Sequence, residues 1–193
     1  MRAFFAIGLD GPMRAALVRA REAFCDAAPA WRSEKWVSEE NLHLTLAFLG
    51  DVPESVLAAL AEDAATRVAG VAPFTLTAKD LRAVPRPRAA TMLWCTVGEG
   101  EREAAGLAAA LQEAAALHGI DLPGRPFAAH LTLVRSRRPR HAPADALASA
   151  AEALAAAGPP AGMSVTDVTL CSSTLTPRGP IYSTIARLPL HRD

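Results

Sequence analysis

Two tetrapeptides carry the chemistry of this chain. His43-Leu44-Thr45-Leu46 recurs without a mismatch as His130-Leu131-Thr132-Leu133, 87 residues later. In an extended strand, residues i and i+2 share a face. Each segment therefore sets an imidazole beside a hydroxyl on one face and leucines on the other. Imidazole exchanges protons near neutrality, so one ring on each side of a reacting phosphorus is able to take a proton from water and return one to a leaving oxygen. The hydroxyls of Thr45 and Thr132 are neutral donors for the non-bridging oxygens. A single strand histidine is ordinarily structural; the same polar pair twice, within otherwise divergent halves, argues for a shared site. Two His and two Thr make a poor ligand set, since Thr is a rare ligand and no Asp, Glu or Cys shares the spacing. No metal and no cofactor is expected.

The elements that must position these residues can be read in order. An apolar run at 4–9 reads as a strand, and Asp10-Gly11-Pro12 stops it and starts a helix running to about residue 28. A short strand at Trp36-Val37 precedes the first His strand, 42–49. A helix to about residue 69 and a strand at 74–78 complete the first half. Residues 81–90, with Arg82, Arg86 and Arg88 among prolines, read as a basic loop. The second half repeats the order: a strand at 91–97, a helix at 101–118 capped by Gly119, and the second His strand at 127–134. An Ala-rich helix from Pro143 to about residue 157 follows, then long strands at 163–175 and 181–188 joined as a hairpin. Residues 135–140 read as a second basic loop. Residues 4–79 and 91–175 thus form two β-α-β-α-β repeats, with a His strand central in each and 181–188 as an extra strand. The expectation is one α/β domain spanning 1–193, with two pseudo-symmetric lobes and a cleft between their His faces.

The bulk properties narrow the setting. Twenty basic and twenty acidic residues cancel, so no global field draws nucleic acid. Three widely spaced cysteines make neither a disulfide framework nor a zinc site and suggest a reducing compartment. The apolar start ends at Asp10 without a cleavage-like segment, and no apolar stretch is long enough for a membrane span. A cytoplasmic monomer without membrane contact is expected.

With the flanks included, His-Leu-Thr-Leu-x-Phe-Leu-Gly and Pro-Phe-x-x-His-Leu-Thr-Leu-x-Arg resemble the 2H phosphoesterase superfamily. More narrowly, they resemble its RNA 2′,3′-cyclic phosphodiesterases, also called 2′-5′ RNA ligases. The likeness extends to the opening Arg-x-Phe-Phe-Ala-Ile, to Trp36-Val37, and to Leu175-x-Pro177-x-Gly179-Pro180-x-Tyr182. It implies a bilobal fold and metal-independent opening of a 2′,3′-cyclic phosphate to a 2′-phosphomonoester, with 2′-5′ joining as the reverse reaction. The implied partners are RNA ends carrying the cyclic phosphate, tRNA fragments being one candidate. By position His43 and His130 are the catalytic pair and Thr45 and Thr132 bind phosphate. Arg135 matches the arginine closing the second motif, a phosphate or substrate contact. Strict alternation would aim it away from the cleft, so it needs a strand end or a bulge. Phe48, at the equivalent offset, stacks on a base or fills core, core being favoured. Arg137, Arg138, Arg140 and Tyr182 are the remaining RNA-contact candidates, with Trp31 and Trp36 as further stacking surfaces. Two rival readings keep the site: a phosphodiesterase for small cyclic nucleotides or 2′-5′ oligonucleotides, and an inactive RNA-end binding module.

Overall fold

A computed structural model of the chain describes residues 1–122, 124, 126–156, 162–177 and 179–191. The stop at Gly158-Pro159-Pro160, Arg178 of the hairpin junction, and Pro123 and Arg125 of the turn before the second His strand lie outside the described residues. Strands run β1 Arg2–Gly8, β2 Lys35–Trp36, β3 His43–Asp51, β4 Phe74–Val84, β5 Ala90–Val97, β6 His130–Arg140, β7 Gly162–Val165, β8 Asp167–Thr176 and β9 Gly179–Pro189. Helices are α1 Gly11–Ala27, α2 Glu54–Val68, α3 Glu101–Leu117 and α4 Ala144–Ala155. The sheet is ordered β7-β4-β5-β6-β3-β1-β8-β9, with β2 added to β6.

The helices begin and end where local chemistry directs. Asp10 caps α1, its carboxylate accepting from the Met13 N–H at 2.8 Å. Gly119 follows α3 at φ +69°, and the N–H groups of Gly119 and Ile120 return to the carbonyls of Ala116 and Ala115. The helices pack pairwise, α1 with α4 and α2 with α3, and α3 and α4 lie against β3 and β4. The core forms on the leucine face of the His strands: Leu44, Leu46, Leu131 and Leu133 are each no more than 2% exposed. No helix among the described residues is long and apolar enough to cross a membrane.

The two sequence repeats are not the two spatial halves. β1 and β3 are joined not by β4 but by β8, whereas β4 pairs with β5 beside β6. The repeats thus exchange their third strands across the molecule. The seam is narrow: β3 and β6 meet antiparallel at the single pair Leu44 and Leu131.

Three local expectations are corrected. Residues 135–140 are not a loop but the outer part of β6, because β5 pairs with Arg135 and Arg140 on one side and β2 begins its pairing at Arg135 on the other. Pro139 is accommodated where the ladder is interrupted between Arg135 and Arg140. Residues 81–84 are likewise strand, with Leu81 buried and its register to β5 continuing to Val84. The strand expected at 163–175 is broken at Thr166. β7 pairs with β4 and β8 with β1, at opposite ends of the sheet order.

Candidate active site

Both His strands carry the same irregularity. In β3, Phe5 of β1 faces Ala47 and Ala6 faces Thr45, which leaves Leu46 without a partner. In β6, Leu93 of β5 faces Val134 and Trp94 faces Thr132, which leaves Leu133 without a β5 partner while its carbonyl accepts from the Val37 N–H on the other side. Each bulge falls three residues after its histidine. An extra residue shifts the alternation: Ala47 and Val134 stay buried, and Phe48 and Arg135 turn outward to the histidine side. That answers the odd offset of Arg135. It also overturns core packing for Phe48, which is 47% exposed with the Arg2 guanidinium 5.4 Å from its ring centroid.

The imidazoles are anchored identically. His43 Nδ1 lies 2.7 Å from the Asn41 carbonyl oxygen, and His130 Nδ1 lies 2.7 Å from that of Ala128, each two residues back. A carbonyl only accepts, so Nδ1 carries the hydrogen and Nε2 keeps its lone pair. His43 Nε2 accepts from the Thr45 hydroxyl at 2.9 Å.

Their surroundings differ. His130 stacks on Trp94, with centroids 3.9 Å apart and planes 23° from parallel. His43 has Phe4 at 5.1 Å and Tyr182 edge-on at 5.3 Å. Burial lowers the pKa of His43 despite the Asn41 hydrogen bond, and the like charge of His130 adds to the drop. Burial also lowers that of His130, with the Arg135 guanidinium pushing the same way. Both rings therefore rest neutral at pH 7, and an arriving phosphate anion favours charging one of them. Cys171 borders the same pocket as His43, but burial pushes its thiol up to about 11, so it stays protonated. Among the described residues no three His, Cys, Asp or Glu side chains converge to hold a metal.

The fold thus gathers His43, Thr45, His130, Thr132, Arg135 and Tyr182 about one face. Arg140 does not join them: it is ion-paired with Glu34 at the far end of β6. Arg137 and Arg138 remain exposed farther along β6 than Arg135. Trp31 is not a stacking surface; it is 1% exposed, and its indole N–H donates to the His141 carbonyl. Trp36 is half-buried, its N–H donating to the Trp31 carbonyl. Sequence reading passed over Phe4 and Trp94 as site residues. Alternation within 91–97 sets Trp94 on one face with Met92 and Thr96, but only the register with β6 puts that face beside His130.

Comparison with known proteins agrees with this geometry. Residues 12–176 match the family model of the 2′-5′ RNA ligase superfamily. The chain is 32% identical over 183 residues to an RNA 2′,3′-cyclic phosphodiesterase of Methanothermobacter thermautotrophicus, covering 95% of each. It is 34% identical over 187 residues to a protein of the same name from Geobacillus stearothermophilus, where 97% of this chain spans 56% of that relative's length. The structure of apo LigT from E. coli superimposes with a TM-score of 0.75 at 28% identity, covering 99% of this chain and 98% of the other. Match, fold and paired motifs coincide, and the chain belongs to the 2′-5′ RNA ligase superfamily.

Proposed function

We propose that this protein hydrolyses 2′,3′-cyclic phosphate ends of RNA to 2′-phosphomonoesters by acid–base catalysis between His43 and His130. The observation that carries the reading is the duplicated anchor: two imidazoles, each with Nδ1–H held by a backbone carbonyl and Nε2 left basic, on one face. The names of the two relatives support the substrate. One Nε2 takes a proton from water as its oxygen attacks phosphorus; the bond from phosphorus to O3′ breaks, and the other ring, entering as imidazolium, protonates O3′. Thr45 and Thr132 donate to the non-bridging oxygens, Thr45 exchanging its bond to His43 for one to phosphate. Arg135 adds positive charge beside His130, where negative charge accumulates on phosphorus. With a 5′-hydroxyl in place of water, the same steps open the cyclic phosphate and join the two ends through a 2′-5′ bond.

The test is to incubate the protein with an RNA ending in 2′,3′-cyclic phosphate and identify the product. A 2′-phosphate is expected; a 3′-phosphate, or no reaction, would overturn the assignment.

A further inference from the structure

The face holding the histidines continues past them. At Asn41, Tyr182 and Arg135 it opens into a groove of about 1040 Å³, which runs between residues 32–41 and the tip of the β8–β9 hairpin. That volume is at the upper limit of a site for one drug-sized molecule, roughly 300–1,000 Å³. The Asn41 side-chain amide donates to the Pro180 carbonyl at 2.9 Å and ties the two walls together beside His43. Asn41 thus lines the groove with its amide while its own carbonyl orients the catalytic ring.

Its lining sets Arg21, Arg32, Lys35 and Arg135 against Glu22, Glu34 and Glu40, and the cations that no carboxylate among the described residues neutralises stand together at the β2–β6 pairing. Lys35 stands directly opposite Arg135 in the β2–β6 pairing. Like charges opposite one another in a sheet destabilise it, and among the described residues neither cation has a carboxylate within ion-pair distance. Glu34, the acid beside them, is taken by Arg140. Arg32 lies farther along the same wall, its exposed guanidinium on Asp26. Trp36 lines the groove with its indole N–H already engaged, which leaves its ring as contact surface.

We propose that this groove is the track of the RNA strand on the 5′ side of the cyclic phosphate. Lys35 holds a backbone phosphate upstream of the terminal nucleotide, next to Arg135 at the reacting phosphate, and Arg32 exchanges its exposed Asp26 carboxylate for a phosphate beyond it. The inference rests on the cyclic phosphodiesterase reading for its direction. It moves the RNA contact from the exposed end of β6, where Arg137 and Arg138 lie, to the opposite wall.

Two readouts separate the groove from the chemistry. The first is binding of a fluorescent hexanucleotide ending in a 3′-phosphate, which needs no turnover. Lys35→Glu and Arg32→Glu should each weaken it about tenfold near 0.1 M salt, Lys35→Gln less so. Each lost phosphate contact should flatten the dependence of log K on log salt by ~0.7. Arg137→Glu with Arg138→Glu should have the smaller effect. The second readout is the ratio of kcat/KM for a hexanucleotide with a cyclic phosphate end to that for a 2′,3′-cyclic mononucleotide, which should fall with the affinity. Unchanged hexanucleotide affinity in Lys35→Glu, equal losses on both substrates, or a larger effect from the Arg137 and Arg138 pair would overturn the track. A wild-type protein that binds the hexanucleotide through Lys35 but opens no cyclic phosphate would sink the hydrolytic reading and leave the groove standing.

Discussion

His43 and His130 share an anchor but not a neighbourhood, and that difference sets what each substitution should do. Replacing either by Ala removes one proton transfer, worth about 10²–10⁴-fold in rate. His43→Ala and His130→Ala should each lose that much in single-turnover hydrolysis while their unfolding midpoints stay near wild type. A double variant that still turned over would end the two-imidazole mechanism. Because both proton transfers run through side chains, activity should survive EDTA, and loss on chelation would point to a metal. The pH profile gives a finer test. kcat/KM reports free-enzyme ionisations, and the ring that accepts a proton must be neutral. Both folded pKa values lie below the ordinary imidazole value of ~6.5, so the acid limb should fall below pH 6.5. Arg135 is one cause of the drop at His130. If His130 is the acceptor, Arg135→Gln moves the limb to higher pH as well as lowering the rate. A limb that stays in place while the rate falls would assign the base role to His43.

The strands that present these residues were legible where local pattern decides and illegible where pairing decides. β3 and the start of β6 announce themselves by alternation, since a leucine face must be buried whatever lies beside it. The outer half of β6 does not, because Arg135 to Arg140 has the composition of a solvated loop and becomes strand only through pairing with β5 at both its ends and with β2 at Arg135. The bulges at Leu46 and Leu133 are invisible in sequence for a related reason. A bulge exists relative to a second strand, and nothing in His-Leu-Thr-Leu states the register. Yet they decide which way Phe48 and Arg135 face. Phe48 was misplaced in the core because alternation alone puts it with the leucines. The seam between the elements is equally a product of pairing. Leu44 is fully buried and opposes Leu131 at the one residue pair linking β3 to β6. Leu44→Ala should destabilise the protein by about 2–5 kcal/mol in equilibrium denaturation. It should also lower kcat, since both histidines flank that pair. A loss below 1 kcal/mol would mean the seam is held elsewhere.

At the scale of the whole molecule, the repeat in the sequence and the symmetry in space answer different questions. The repeat made two pseudo-symmetric halves legible, but not which strand completes which half, because β4 and β8 have equally plausible partners on either side. Exchange of these third strands changes what the halves are able to do alone. A chain ending at residue 86 would carry β1 and β3 without β8, exposing the β1 edge, and its β4 would have no β5 to pair with. A chain beginning at residue 87 would carry β8 and β9 without β1. Unpaired edges and an uncovered leucine face make each fragment a candidate for aggregation rather than for independent folding. Fragments 1–86 and 87–193, each expressed alone, should therefore show no cooperative thermal transition. Mixed from denaturant, they should regain one, and hydrolysis of a 2′,3′-cyclic phosphate with it, because each supplies one histidine and the strand that completes the other's sheet. Had the halves been self-contained lobes, each would melt cooperatively by itself and only the activity would require mixing. Circular dichroism of the separate fragments distinguishes the two architectures before any substrate is added.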